Sequence, residues 1–344
     1  MSRNIIRKAN ASDSEKLLVL IKELSKELRL TSSQLTQKEL DDDAFGKSAI
    51  FTVYVSQSDE GDLTGYVLFY NTYSTWEGRS LCVEELFVTA SQRRKGIGSS
   101  LLKKAVQEAL KRGCSRCNIT AFPGNKFLAS QGAIDLTDTE KWLFFRMNRK
   151  AMEDFSQRCK NIEGAQIRES TQDDVKSIRK LIQDLADYEE MPDGPKIAAA
   201  TLREDSLENE AFYKCYVAEA EGQLVGYSIF FFTYNGDGAG VYMEDLYVSP
   251  EYRKKGIGIA LWGNVIKAGL NIEGKRCDFA VLDWNTPSID FYKHMGAIDM
   301  TQERGFHFYR MTKDIMNSYI SSYSSRQKNS HLLFMLAPFR SSGR

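Results

Sequence analysis

Leu17, Leu20, Ile21, Leu24 and Leu28 recur at three- and four-residue spacing, which predicts an amphipathic helix over residues 11–29. Val175, Ile178, Leu181, Ile182 and Leu185 repeat that pattern later in the chain. Two runs of alternating apolar and polar residues follow each helix, at 51–56 and 64–70 and again at 213–219 and 225–233, and these read as strands. A short apolar strand comes next (82–88; 241–248), then a basic glycine-containing turn and a helix (259–268 in the second case). A further strand follows, at 116–121 and 276–282. The predicted class is α/β (α+β), with two tandem domains, each a mixed, mostly antiparallel sheet carrying helices on both faces.

The two series are one series repeated. Ile6-Arg7 recurs as Ile167-Arg168, Leu20-Ile-Lys-Glu-Leu24 as Leu181-Ile-Gln-Asp-Leu185, and Gly65-Tyr66 as Gly226-Tyr227, all at an offset of 161. The offset is 160 from Val83-Glu-Glu-Leu-Phe-Val88 to Met243-Glu-Asp-Leu-Tyr-Val248, and 164 from Gly132-Ala-Ile-Asp135 to Gly296-Ala-Ile-Asp299. A near-constant offset of this length means duplication of a whole domain, since a solenoid's period is far shorter. The steps mean one loop residue lost from the second copy and four lost from the first, between Thr120 and Gly132. The expected division is a first domain at 1–152, a polar linker at 153–164, a second domain at 165–316 and a flexible Ser-rich tail at 317–344.

Composition narrows the function classes. The chain has 344 residues, with 46 basic against 46 acidic side chains and 42% apolar residues, enough to give each copy a core. Zero formal charge argues against a nucleic-acid or lipid-surface partner. No apolar run reaches a membrane span and the N-terminus lacks a secretory h-region, so a cytoplasmic protein is expected. Six cysteines are too few for a disulfide framework, and Cys114-Ser-Arg-Cys117 has no second pair to complete a metal site. The three histidines are scattered, so no metal is expected.

Arg253-Lys-Lys-Gly-Ile-Gly258 lies between a predicted strand and a predicted helix. Glycines there let backbone amides converge, and a helix N-terminus adds partial positive charge, a combination suited to a pyrophosphate. The same context recurs at Arg93-Arg-Lys-Gly-Ile-Gly98. No Gly-Lys-Ser/Thr follows, which excludes a Walker loop.

This turn follows Glu-Asp-Leu-Tyr-Val and precedes Trp284-Asn285 and Phe291-Tyr292, a set that resembles the GCN5-related N-acetyltransferases. The second copy is similar to the diamine members, the spermidine/spermine and thialysine acetyltransferases. The resemblance implies transfer of the acetyl group of acetyl-CoA to a primary amine of a small diamine or polyamine. Alternatives are a lysine-like amino acid or peptide amine, or a non-catalytic acyl-CoA-binding scaffold. It implies that Tyr292 is the general acid for the thiolate and that Glu244 is the amine-binding carboxylate and base. Leu246, Tyr247 and Val248 would offer backbone groups to the pantetheine arm. Arg253, Lys254, Lys255, Gly256, Ile257, Gly258 and Ile259 would hold the pyrophosphate, and Asn285 and Ser288 would contact the cofactor. Tyr188, Glu189, Glu244 and Asp245 would bind the amine. Because neighbours on a strand face opposite ways, at most one of Glu244 and Asp245 is expected to point into the cleft.

The first copy keeps Glu84, Glu85, Arg93, Gly96 and Gly98, so cofactor binding is expected there too. It also keeps Tyr73-Ser-Thr-Trp76-Glu-Gly-Arg79, which resembles the aromatic loop of the thialysine-type members, where the second copy has Asn235-Gly-Asp-Gly-Ala-Gly240. It lacks the Trp-Asn pair, has Leu128 opposite Tyr292, and has Glu27 in place of the Tyr of the amine site. Leucine cannot donate a proton, so the first copy reads as a degenerate partner domain. Family members of this type act as dimers. The two copies are therefore expected to form an intramolecular pseudo-dimer, or the chain a homodimer.

Overall fold

The structure, a computed structural model, describes residues 4–28, 35–121, 124–137, 141–159, 162–207, 211–304 and 307–322. In chain order the first copy gives β1 (Ile5–Lys8), α1 (Ser14–Glu27), α2 (Gln37–Phe45), β2 (Thr52–Gln57), β3 (Leu63–Ser74) and β4 (Gly78–Val88). Next come α3 (Ile97–Lys111), β5 (Arg116–Ala121), α4 (Lys126–Ser130), β6 (Ile134–Asp135), β7 (Trp142–Asn148) and α5 (Arg149–Arg158). The second copy gives β8 (Gln166–Glu169), α6 (Val175–Tyr188), α7 (Ala199–Leu207), β9 (Lys214–Ala220), β10 (Gln223–Asn235) and β11 (Gly238–Val248). It continues with α8 (Ile257–Asn271), β12 (Arg276–Leu282), α9 (Thr286–His294), β13 (Ile298–Asp299), α10 (Met300–Arg304), β14 (His307–Thr312) and α11, at 313–322.

Strand alternation builds the layers. Along β3, Tyr66, Leu68 and Tyr70 pack with Leu17, Leu20 and Ile21 of α1. Val67 and Phe69 face the other way, onto Leu101, Leu102 and Ala105 of α3. In the second copy Tyr227, Ile229 and Phe231 meet Val175, Ile178 and Leu181 of α6, while Phe230 joins Trp262 of α8. Each sheet is thus covered on both faces. Arg7, donating through two nitrogens to Asp13 at 2.7 Å each, ties β1 to the start of α1; Arg168 and Asp174 do the same for β8 and α6.

The two seven-stranded sheets exchange strands. One runs β1-β2-β3-β4-β5-β14-β6, the other β13-β7-β12-β11-β10-β9-β8. Strand β7 of the first copy lies between β12 and β13, pairing Phe145 with Phe279 and with Asp299. Strand β14 of the second copy lies between β5 and β6, pairing Tyr309 with Ile119 and with Asp135. The helices after these strands travel with them. Phe155 of α5 packs on Trp262 of α8 with ring centroids 4.8 Å apart, and Tyr319 of α11 donates to the Ser99 carbonyl of α3 at 2.9 Å. One sheet is therefore built from 141–304 and the other from 4–137 together with 307–322.

This arrangement moves the boundaries expected from the repeat. The interval 153–164 is helical through Arg158, with Phe155 buried, rather than a polar linker. Residues 317–322 continue α11, with Tyr319 buried, because the helix covers the apolar flank of α3. The remainder of the expected tail, 323–344, lies outside the described residues. Cys114 and Cys117 are both buried in the core around α3. No helix of the described residues is long and apolar enough to cross a membrane.

Candidate active site

In both sheets the paired central strands part company. Strands β11 and β12 run parallel only from Val241 to Met243 against Cys277 to Phe279, and β4 and β5 only from Ser80 to Val83 against Arg116 to Ile119. Beyond those points a cleft opens, and a cavity of about 1170 Å³ runs through it and across to the other half.

A bulge decides which carboxylates enter it. Ile229 pairs with Asp245 and Phe230 with Met243, so Glu244 is an extra residue without a partner on β10. The bulge breaks the alternation, and Glu244 and Asp245 both line the cavity, against the expectation that at most one would. Glu84 is bulged in the same way between Val83 and Glu85, and both of those glutamates line the cavity too. Asp245 accepts a hydrogen bond from the Tyr227 hydroxyl at 2.7 Å, as Glu85 does from Tyr66 at 2.6 Å.

A third carboxylate joins the second-copy pair. Helix α6 ends at Tyr188, which places Glu189 at the cavity wall beside Asp245 and Glu244. Burial, reinforced by those two neighbours, pushes Glu189 up to about 8. Burial likewise raises Glu244 to about 8, opposed chiefly by Arg116, and Asp245 to about 6, opposed by hydrogen bonds from Tyr227 and Thr75. In this low-dielectric wall Glu189 and Glu244 hold protons near neutral pH that a cationic ligand would displace.

Tyr292 on α9 lines the same cavity, its ring centroid 4.3 Å from Phe279 and 5.1 Å edge-on from Trp262. Burial, with Cys277, Glu189 and Asp245 nearby, raises its phenol well above the usual range, so it is a protonated donor at neutral pH. Asn285 caps α9 by accepting from the Ser288 amide. Across the opening, Lys254 (φ 61°) and Gly256 (φ 84°) adopt left-handed backbone. Gly256 is the N-cap of α8, so the amides of the next turn lack intrahelical partners. Arg253 donates to the Val248 carbonyl at 2.8 Å and stacks over the Tyr188 ring at 5.0 Å.

Of the residues expected in the second-copy site, Tyr188, Glu189, Glu244 to Val248, Arg253, Lys254, Gly256, Gly258, Ile259, Asn285, Ser288 and Tyr292 all line this cavity. Lys255 and Ile257 do not line it. Lys255 lies over the Tyr252 ring at 4.9 Å and Ile257 is buried in the core beneath the turn. Arg93, Gly96 and Gly98 are also outside it. Arg93 is held by both carboxylate oxygens of Glu27 at 2.7 Å, and the Phe127 ring comes within 3.8 Å of a Cβ placed on Gly98.

The four residues missing from the first copy prove to be one helical turn. Helix α9 has 9 residues and α4 has 5, yet both are opened by an Asn whose side chain accepts from an amide three residues on. The first copy thus keeps that Asn, as Asn125, and loses one turn between it and the helix end, where the Leu128 carbonyl accepts from Ala133 as that of Tyr292 does from Ala297. Leu28 stands where the second copy has Glu189, so the third carboxylate is absent as well.

The sequence reading missed what each copy gives the other. Thr75 and Trp76, from the β3–β4 hairpin of the first copy, line the cavity, Thr75 within hydrogen-bond reach of Asp245. Trp76 packs on Gly194 and its carbonyl accepts from the Lys196 amide at 2.8 Å, while Arg79 pairs with Asp205 at 2.6 Å. In return, the second copy's glycine loop reaches the first-copy pair, the Gly236 amide donating to Glu85 at 2.7 Å. The clue in the sequence was the unequal pair of hairpins, aromatic in one copy and glycine-rich in the other. Among the described residues, no cluster of His, Cys, Asp and Glu is arranged to hold a metal ion.

Known proteins agree with this geometry. The acetyltransferase (GNAT) family model matches twice, at residues 18–129 and 178–297. The thialysine N-ε-acetyltransferase of Bos taurus is 39% identical over 159 residues, 44% of this chain and 94% of its own. The human spermidine/spermine N(1)-acetyltransferase-like protein 1 is 31% identical over 157 residues, 43% of this chain and 23% of its own. A solved GCN5-related N-acetyltransferase from Sphaerobacter thermophilus superimposes with a TM-score of 0.51 at 13% identity, covering 90% of this chain and 95% of its own, a likeness of fold. With two family matches and two sheets that each splay at the same point, the chain belongs to the acetyltransferase (GNAT) family, as a tandem member.

Proposed function

We propose that the second copy's site transfers the acetyl group of acetyl-CoA to the primary amine of a small cationic alkylamine, of the diamine or polyamine kind, and that the first copy is its partner domain. The observation that carries this reading is the convergence of Glu189, Glu244 and Asp245 with the phenol of Tyr292 on one cavity. The names of the relatives, thialysine N-ε-acetyltransferase and spermidine/spermine N(1)-acetyltransferase-like protein 1, also point to small amines.

Acetyl-CoA supplies an activated acyl thioester. The left-handed turn at Lys254 and Gly256 and the open amides of α8 suit its pyrophosphate, and the Leu246–Val248 stretch, unpaired on the β12 side, offers backbone groups to the pantetheine arm. An alkylammonium near pKa 10 must lose a proton before it attacks, and a carboxylate poised near 8 is better matched to take it than an ordinary one. As the new C–N bond forms and the C–S bond breaks, the amine gives up a second proton. Tyr292 delivers a proton to the departing sulfur and is restored by that one. In the first copy, a turn shorter at α4, the corresponding place is held by Leu128, which has no proton to give.

The test is amine-dependent thiol release by the full chain with acetyl-CoA across a panel of diamines, polyamines and amino acids, with the acetylated product identified by mass spectrometry. Product with at least one small amine is expected. No release with any of them overturns the reading.

A further inference from the structure

Strands β5 and β12 open with the same residue and commit it differently. Arg276 opens β12 and Arg116 opens β5, two residues before Asp278 and Asn118 respectively. In the second sheet Asp278 binds two neighbours: Arg276 Nε donates to it at 3.0 Å, and Arg146 of β7 donates through two nitrogens at 2.7 and 2.9 Å. Arg276 also reaches the Asn235 side chain and the Gly238 carbonyl, both at 2.9 Å, so its charge is engaged within its own sheet. In the first sheet the place of Asp278 is taken by Asn118, which brings no charge.

Arg116 turns instead to the other copy. It meets Glu244 at 3.9 Å and Glu77 of the β3–β4 hairpin at 3.7 Å, both beyond hydrogen-bond length. Its buried Nε has no hydrogen-bond partner among the described residues. The side chain is only 11% exposed, and it lines the cavity that holds Tyr292. A guanidinium buried on such long contacts costs stability, and what it supplies to Glu244 is charge rather than a hydrogen bond. Glu244 is also faced by Asp245 and Tyr242 of β11, by Glu189 at the end of α6, and by Arg310 of β14, whose Nε donates to Asn118 at 3.1 Å. Burial, reinforced by Asp245, favours the protonated carboxyl. Of the two guanidinium groups that favour the carboxylate, Arg116 has the larger influence.

We propose that Arg116, from the first copy, is a positioning residue for the second copy's reaction, its charge keeping Glu244 available as the carboxylate that takes the proton of the amine. This rests on acetyl transfer at the second site with Glu244 as base, and it gives the first copy a part in tuning that base across the boundary between the sheets.

The experiment measures kcat/KM against pH for a small amine that the full chain acetylates, at saturating acetyl-CoA. Arg116→Gln should move the acidic limb up by about 1 pH unit or more, the effect of losing an opposite charge within about 4–6 Å. The loss should therefore be roughly tenfold or more at about pH 7 and should shrink severalfold by about pH 9.5. Arg116→Lys, which keeps the charge, should hold the limb within about 0.5 unit of wild type, and Asn118→Asp, which supplies the counter-ion found in the other sheet, should raise it with Arg116 in place. Infrared titration of the ligand-free protein gives a reading that needs no turnover: the carboxyl band that Glu244→Gln removes should titrate higher in Arg116→Gln. A loss that is equal at both pH values, or a Glu244 band that titrates unchanged, would overturn the role of Arg116 while leaving acetyl transfer standing. No turnover of any amine overturns acetyl transfer, and the infrared titration still decides whether Arg116 sets the ionisation of Glu244.

Discussion

Phe145→Ala tests the exchange of strands, because Phe145 belongs to the first copy by sequence and to the second sheet by position. Its side chain is 0% exposed and packs in the cluster of Phe279, Trp262 and Tyr292, with its ring 5.8 Å from that of Phe279. Truncating a buried Phe costs about 3–5 kcal/mol. If that loss falls on one sheet, amide exchange there should accelerate by roughly 10²- to 10⁴-fold, at about 1.4 kcal/mol per tenfold. Hydrogen exchange read by mass spectrometry should show this in Arg276–Leu282 and Ile298–Asp299, the strands that flank β7. Arg116–Ala121 should change by less than about tenfold. Met311→Ala, in β14 and fully buried, should give the reverse pattern, since β14 lies against β5. Acceleration confined to Arg116–Ala121 in the Phe145 variant, or equal in both sheets for both variants, would refute the assignment.

The raised carboxylates predict a pH dependence with a definite sign. Glu189 and Glu244 titrate near 8 in the folded protein against roughly 4.5 unfolded, so the folded state binds more protons between those values. Melting temperature of the ligand-free protein should therefore fall as pH rises from about 5 to 8, and Glu189→Gln should flatten the decline; a melting temperature that climbs over that range contradicts the burial argument. Over the same range KM for a cationic amine should decrease as the acids ionise, which initial rates at saturating acetyl-CoA would show. Trp76→Ala, which removes a first-copy side chain from the second-copy cavity, should raise KM for the amine about tenfold or more and leave coenzyme A affinity within about threefold, as measured by calorimetry. Equal KM values would mean that the hairpin only packs.

The helices, the strands and the duplication are all legible in the sequence, because spacing and alternation are local. Membership of a sheet is not. Strands β7 and β14 carry the same Arg-Met step, Arg146-Met147 and Arg310-Met311, and each alternates suitably for either sheet. Period-two patterning identifies a strand but not its neighbour. The carboxylates illustrate a second limit. Alternation assigns Glu244 and Asp245 to opposite faces, and only the bulge against Ile229 and Phe230 brings both to the cavity. Tyr292, Glu189 and the turn at Gly256 were found because motif and position coincide in one copy. Thr75, Trp76 and Arg116 were not, because they reach the site from the other copy, where their local sequence belongs to the other sheet.

The central claim is that the second copy alone carries the chemistry, with Tyr292 as its acid. Its most direct test is Tyr292→Phe, which keeps the ring among Phe279 and Trp262 and removes only the hydroxyl. Single-turnover acetylation should slow by roughly 10²- to 10⁴-fold, the usual contribution of a general acid, while calorimetric affinity for coenzyme A stays within about threefold. Wild-type turnover in that variant would contradict the claim, because the first copy has only Leu128 at the corresponding place.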